Sequence, residues 1–230
     1  MQDLSGRGVL VTGGARGIGL ATVEAFVARG ARVAFCAQHQ ANVERALAHF
    51  DTAQVFGMAA DVADAAAVRR FVEQAGRFLG GFDVLVNNAG ILRHGPFQEA
   101  RYEDIARMVE VNLTGLCFVT RAILPFMLRA GHGTIINVAS GVGLYAAGGL
   151  AVYSATKFGV VGFTQALDQE VAQAGVRVFA VCPGRVATDM QLQYAGARIG
   201  MAPEKVAARI VQLAGPHPHA RPGGCVEIYE

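Results

Sequence analysis

The sequence predicts an α/β fold: a single Rossmann-type doubly wound domain, with a mostly parallel seven-stranded sheet and helices on both faces. Three observations carry this. Short apolar runs alternate with longer helical patterns along the whole chain, as successive right-handed βαβ units require. The strand runs are almost continuously apolar, as strands covered on both faces are. Hydrophobic residues make up 53% of the 230 and charged residues 17%, the latter below a usual ~25%, so an unusually large apolar area must be buried.

Arg7 to Thr12 reads as the first strand and Ile18 to Ala28 as the first helix, closed by Gly30. Arg32 to Ala37 is the second strand, Asn42 to Phe50 the second helix, and Gln54 to Ala59 the third strand, ending at Asp61. Asp64 to Leu79 is helical and Asp83 to Val86 is strand four. One long fourth helix spans about Tyr102 to Ala130, followed by strand five over Thr134 to Ala139. The fifth helix covers about Leu150 to Gln173, and strand six Val176 to Val181. A loop then runs to Met201, and a stretch of about 185–202 is expected to face the substrate. Pro203 to Leu213 is a short helix with Pro in its first turn, and Gly224 to Tyr229 the last strand. No linker composition or internal repeat divides residues 1–230, so one domain is expected.

Composition excludes several functions. The net charge is +2 with no basic block, which offers no electrostatic footprint for nucleic acid. Cys36, Cys117, Cys182 and Cys225 are scattered without a C-x-x-C pair, so they read as small buried hydrophobes in a reducing, cytoplasmic setting. No histidine spacing suits a metal. Gly133 to Thr156 carries no charge but is broken by four glycines between Gly141 and Gly149. Strand, loop and buried helix therefore fit it better than a membrane span, and a soluble protein is expected.

Thr12-Gly13-Gly14-Ala15-Arg16-Gly17-Ile18-Gly19 lies between the first strand and first helix. Glycines there permit a tight turn and close approach of a pyrophosphate to the helix N-terminus. No acid stands at the end of strand two, where one would bind the ribose 2′-hydroxyl of NAD; Ala37, Gln38 and His39 do. Arg16 could instead meet the 2′-phosphate of NADP. The other reading leaves Arg16 solvated and gives the adenine ribose of NAD to Gln38. NADP(H) is favoured, with NAD(H) as the alternative. Farther on, Tyr153 and Lys157 are four residues apart, stacked on one helix face. An ammonium there would lower the phenol pKa and fit it for acid–base work. Ser140 ends strand five thirteen residues before Tyr153.

In this order and spacing the chain resembles the short-chain dehydrogenase/reductase family, with a general look of its 3-oxoacyl-carrier-protein reductases. Thr12 to Gly19 resembles the family's TGxxxGxG turn, and Asn87-Asn88-Ala89-Gly90 its NNAG motif bordering the cofactor. Asp61-Val62 is similar to the adenine-contacting position. Asn112, Ser140, Tyr153 and Lys157 match the catalytic set, and Pro183-Gly184, Val186 and Thr188 the motif flanking the nicotinamide. The resemblance implies a hydride transfer between the nicotinamide and a carbonyl or secondary alcohol. Tyr153 would be the general acid/base, Ser140 would stabilise the developing oxyanion, and Lys157 would hold the nicotinamide ribose and depress the Tyr153 pKa. Asn112 would hold a local helix distortion and a proton-relaying water.

Val142, Leu144, Tyr145, Leu150, Arg185, Val186 and Met190, with His94, are candidate walls of a mainly apolar substrate pocket. The stretch from Thr188 to Pro203 is short for the family, suggesting a reduced lid and an open site. The fifth helix is nearly apolar all round from Phe158 to Phe163, which predicts a homodimer or homotetramer through helices four and five. Competing readings are an NAD-dependent alcohol dehydrogenase and a dinucleotide sensor without turnover.

Overall fold

A computed structural model describes residues 3–229. Seven parallel strands form one sheet in the order β3-β2-β1-β4-β5-β6-β7. They are β1 Gly8–Thr12, β2 Arg32–Ala37, β3 Val55–Ala59, β4 Val84–Asn87, β5 Gly133–Val138, β6 Val176–Pro183 and β7 Cys225–Ile228. The helices are α1 Gly17–Val27, α2 Gln40–Leu47, α3 Ala65–Leu79, α4 Tyr102–Val109, α5 Gly115–Ala130, α6 Ala151–Val171, α7 Asp189–Ala195 and α8 Pro203–Ala214.

Alternation along the strands separates two cores. Val9, Val11, Val33, Phe35 and Val86 point to one face, where they meet α1, α2 and α8. Leu10, Ala34, Leu85, Ile135 and Val178 point to the other, against α3, α5 and α6. Residues of both sets are fully buried, which explains the continuous apolar runs: each side of every central strand has a helix on it. Truncating such a side chain, Phe35→Ala for example, costs about 3–5 kcal/mol.

The chain runs outward from β1 to β3 and returns to β4 on the other side of β1. At that reversal, the loops leaving β1 and β4 diverge and open a crevice at the carboxyl ends of the strands.

The long fourth helix of the sequence is helical from Tyr102 to Ala130, but Glu110–Thr114 is a π-helical turn between α4 and α5. This run is long and apolar enough to cross a membrane. Its buried stripe, with Val119, Ile123 and Met127, packs instead on α3 and on the sheet.

The segment after β6 is corrected most. The expected loop contains α7, capped by Thr188, whose hydroxyl accepts from the Gln191 amide at 3.3 Å. A bridge between Val186 and Met201 closes its base. Ser/Thr capping and a Gly at the far end, here Gly196 at φ 71°, are the ordinary helix signals. The seven residues between them were too few to show an apolar period.

Candidate active site

A cleft of about 450 Å³ opens at the crevice between the β1 and β4 loops. Gly13, Arg16, Gly17 and Ile18 line it from the first turn, and Gln38 from the end of β2. Asp61 and Val62 reach it after β3, and Asn88, Ala89 and Gly90 after β4. Pro183, Gly184, Arg185, Val186 and Thr188 border it after β6, facing Ser140, Tyr153 and Lys157. Residues from seven separate stretches of the sequence thus meet at one surface.

The glycine turn is built for close approach. A Cβ on Gly19 would stand 2.1 Å from the Gly13 carbonyl oxygen, so only glycine lets the helix leave β1 at that angle. Gly19 itself lies behind the cleft lining; its contribution is to the path of the chain. Asn88 ties the β4 loop to the turn, donating to the carbonyl oxygens of Thr12 and Gly13 at 3.0 and 3.1 Å. Helix α1 begins without a side-chain cap on Arg16. Its first amides therefore face the cleft free to bind an anion. This uncapped end beside glycines fits the pyrophosphate of a dinucleotide.

Asp61 is held by three donors: the guanidinium of Arg107, the Gln38 amide at 3.3 Å and the Ala63 main chain at 3.0 Å. Arg107 lines the cleft too, and sequence reasoning missed it. No local motif marks it, since its partner Asp61 lies 46 residues earlier in the chain. Arg16 is largely exposed and stands 3.9 Å from Asp189 at the start of α7. His39 and Asn42 line the same end.

At the other end, Tyr153 and Lys157 occupy the first two turns of α6 and are buried. The Lys157 Nζ donates to the Val138 carbonyl oxygen at 2.8 Å and lies 5.7 Å from the Tyr153 ring centre. The expected depression of the phenol pKa does not occur in this arrangement. Burial pushes Tyr153 up to about 12, opposed by the Ser140 hydroxyl, and pushes Lys157 down to about 8. Desolvation is the leading cause of both shifts, and the ammonium is directed at the main chain, not at the phenol. Ser140 accepts from the Val142 amide at 3.3 Å, which leaves its own proton free to donate.

Asn112 sits in the π-helical turn and is outside the cleft lining. Its side-chain oxygen accepts from the Ile91 amide at 2.8 Å, and its Nδ2 donates to the Ile91 carbonyl and the Thr156 hydroxyl at 2.9 and 3.2 Å. Both N–H donors of the amide are used and one lone pair of its oxygen is filled.

The substrate walls are partly as expected. Val142, Leu150, Met190 and Arg185 line the cleft. Tyr145 does not: it is 70% exposed, because the 3-10 turn Gly141–Gly143 carries it out to solvent. Leu144 packs into a separate cluster with Leu116 and Val160. His94 stands behind the wall, its ring edge-on to Tyr194 at 4.9 Å. Tyr194 and Gln191 of α7 take the wall positions instead. Met190 and Tyr194 are one helical turn apart, so both face inward once α7 forms.

Comparison with known proteins agrees with this construction. Residues 7–197 match the family described as short chain dehydrogenase. The 3-oxoacyl-(acyl-carrier-protein) reductase of Escherichia coli is 36% identical over 189 residues, covering 82% of this chain and 77% of that protein. The enzyme of the same name from Synechocystis sp. is 38% identical over 226 residues, covering 93% and 91%. The crystal structure of 3-ketoacyl-(acyl-carrier-protein) reductase from Brucella melitensis complexed with NADH superposes with a TM-score of 0.94 at 30% identity, covering 99% and 98% of the two chains. With the family matched over residues 7–197 and relatives at 36% and 38% identity covering 82% and 93% of it, the chain belongs to the short-chain dehydrogenase family of oxidoreductases.

Proposed function

We propose that the chain is a carbonyl reductase, transferring a hydride between NADP(H) and a carbonyl or secondary alcohol, with Tyr153 as general acid/base. The observation that carries this reading is the single cleft joining the uncapped α1 N-terminus to Ser140, Tyr153 and Lys157. When bound, the dinucleotide supplies the hydride. The α1 amides and the glycine turn hold its pyrophosphate, and Arg16 meets the 2′-phosphate through charge-assisted bonds. Asp61 and Val62, with Asn88, Ala89 and Gly90, flank the adenosine half. Pro183, Gly184, Val186 and Thr188 border the nicotinamide half.

Lys157 has three donors and uses one on Val138, leaving two for ribose hydroxyls. Tyr153 gives its proton to the substrate oxygen, and the free Ser140 proton favours the charge developing there. A phenol raised to about 12 stays protonated at neutral pH, ready to act as an acid. Asn112 holds the distorted turn through its bonds to Ile91 and Thr156.

The apolar wall of Val142, Leu150, Met190 and Tyr194 suits a ketone or a 3-oxoacyl thioester. The curated relatives named above point the same way. NAD(H) is the second reading, favoured by the NADH in the Brucella relative and by the contact of Arg16 with Asp189. Four free cysteines, with Cys36 and Cys182 buried, suit a reducing cytoplasmic setting. On α6, Ala151, Ala155, Phe158 and Gly162 are exposed at helical spacing, a stripe that suits a homodimer or homotetramer.

Fluorescence titration with NADPH and, separately, NADH tests the assignment. A tenfold preference for NADPH, about 1.4 kcal/mol, supports Arg16 as the phosphate contact. Preference for NADH moves the search to alcohol oxidation, and binding of neither removes the enzyme reading.

A further inference from the structure

We propose that Thr156 is a positioning residue for proton transfer, its hydroxyl tying the π-helical turn of Asn112 to the catalytic turn of α6. The proposal rests on the reading of Tyr153 and Lys157 as the proton-transferring pair. Thr156 lies between these two in sequence and is 2% exposed. Its Oγ1 accepts from the Asn112 Nδ2 at 3.2 Å and donates to the Tyr153 carbonyl oxygen at 2.7 Å. One hydroxyl thus bridges the residue at the centre of the distorted turn and the main chain of the proposed acid.

The consequence for Asn112 is specific. Two bonds to Ile91 fix its amide at the β4 loop, and the bond to Thr156 fixes the remaining N–H. Without the hydroxyl, a buried N–H has no partner, and the amide can rotate or the turn can relax toward an α-helix. The π turn packs directly on α6, so relaxation there moves the floor on which Tyr153 and Lys157 stand. A shift of a fraction of an ångström at a proton donor is enough to slow transfer.

Back-bonding by threonine alone is not the signal. On the same helix Thr164 donates to the Val160 carbonyl at 2.8 Å and accepts from Asn137 at 2.9 Å. That pattern is identical in form but lies in the core between β5 and α6, away from the cleft lining. Thr164 therefore provides a matched control, with the same bonds lost from the same helix.

The test compares Thr156→Val, Thr156→Ser and Thr164→Val in the full chain. Valine keeps the shape and removes the hydroxyl; serine keeps the hydroxyl. Reduction of a ketone or 3-oxoacyl thioester is followed with NADPH and with its 4-deuterated form, in water and in deuterium oxide. For Thr156→Val, kcat is expected to fall about ten- to a hundredfold, with NADPH binding within about threefold. Its solvent isotope effect should rise as proton transfer becomes limiting. Thr156→Ser should stay within about threefold of the parent, and Thr164→Val should leave both isotope effects unchanged.

A parental kcat for Thr156→Val overturns the proposal, as does an equal fall for serine or isotope effects that match the Thr164 control. Hydrogen exchange of the Glu110–Thr114 amides reads the tie without turnover: it should quicken about tenfold in Thr156→Val and not in Thr156→Ser. Unchanged exchange overturns the tie. An active parent with an unaffected Thr156→Val removes this proposal alone. A parent that reduces nothing across the panel removes the oxidoreductase reading and this proposal with it.

Discussion

Lys157 and Tyr153 stand in successive turns of α6, yet the lysine bonds to the Val138 carbonyl at 2.8 Å and not to the phenol. The ammonium is 5.7 Å from the ring centre, with its other two protons directed away from that carbonyl. In this state the pair is a protonated phenol beside an anchored cation. The arrangement holds an acid in reserve, and it leaves the lysine able to meet hydroxyls of a bound ribose.

Tyr153→Phe removes the acid and little else. The ring stays buried in its cluster with Met108 and Leu150, so the fold is retained. Turnover is expected to fall at least about 10²–10⁴-fold, with the NADPH dissociation constant within about threefold. Steady-state reduction and fluorescence titration check the two halves separately. A variant that keeps most of its turnover would show that another group supplies the proton.

Lys157 makes a prediction about stability and pH. Burial lowers its folded-state pKa to about 8 from 10.5. Between those values the unfolded chain binds more protons, so this lysine makes stability rise with pH from about 8 toward 10.5. Burial of Cys36 and Cys182, each pushed up to about 12, works in the opposite sense above about pH 9. The cysteines are common to the parent and to Lys157→Met, so the difference between the two isolates the lysine. From pH 7.5 to 9.5 the cofactor-free parent should gain about 2 kcal/mol relative to Lys157→Met, at about 1.4 kcal/mol per unit. Urea midpoints at the two pH values measure it. Parallel curves would mean that Lys157 does not titrate there.

Arg16→Ala should discriminate between cofactors. The side chain is exposed and 3.9 Å from Asp189, so its loss leaves the fold within about 0.5 kcal/mol. NADPH affinity should fall about tenfold or more, with a shallower salt dependence, and NADH affinity should change less than about twofold. Equal loss for both cofactors would assign Arg16 to the pyrophosphate.

How much of this was legible depends on what each feature needs to declare itself. The β1 turn and the Tyr153, Lys157 pair are local: spacing and residue type specify them. The parallel sheet was implied by alternation, because a crossover helix returns each strand parallel to the one before it. What escaped was set by packing. Helix α7 is held by Thr188 and the Val186–Met201 bridge, and no apolar period announces it. Tyr145 looked like a wall residue from its position after Ser140, but the intervening 3-10 turn rotates it outward. Burial of the phenol raises the Tyr153 pKa, against the lowering expected from helical spacing, and spacing does not report burial; the lysine's bond to Val138, across 19 residues, is likewise beyond its reach.

The face of α6 opposite the site provides the last prediction. Ala151, Ala155, Phe158 and Gly162 follow one another at helical spacing and are all exposed, with Phe158 44% accessible. On the neighbouring α5, Phe126 is 43% accessible as well. Small residues around an aromatic ring let two helices approach closely, and a monomer gains nothing by leaving the stripe bare. A second copy meeting this face would bury it. Phe158→Glu places a charge at its centre, tolerated at an exposed position in a monomer but costly inside a contact between copies. Light scattering at about 10 μM should give a dimer or tetramer for the parent and a smaller species for Phe158→Glu, with unchanged circular dichroism. A monomeric parent would end the assignment of this stripe to self-association. An oligomer indifferent to the substitution would move the contact to another face.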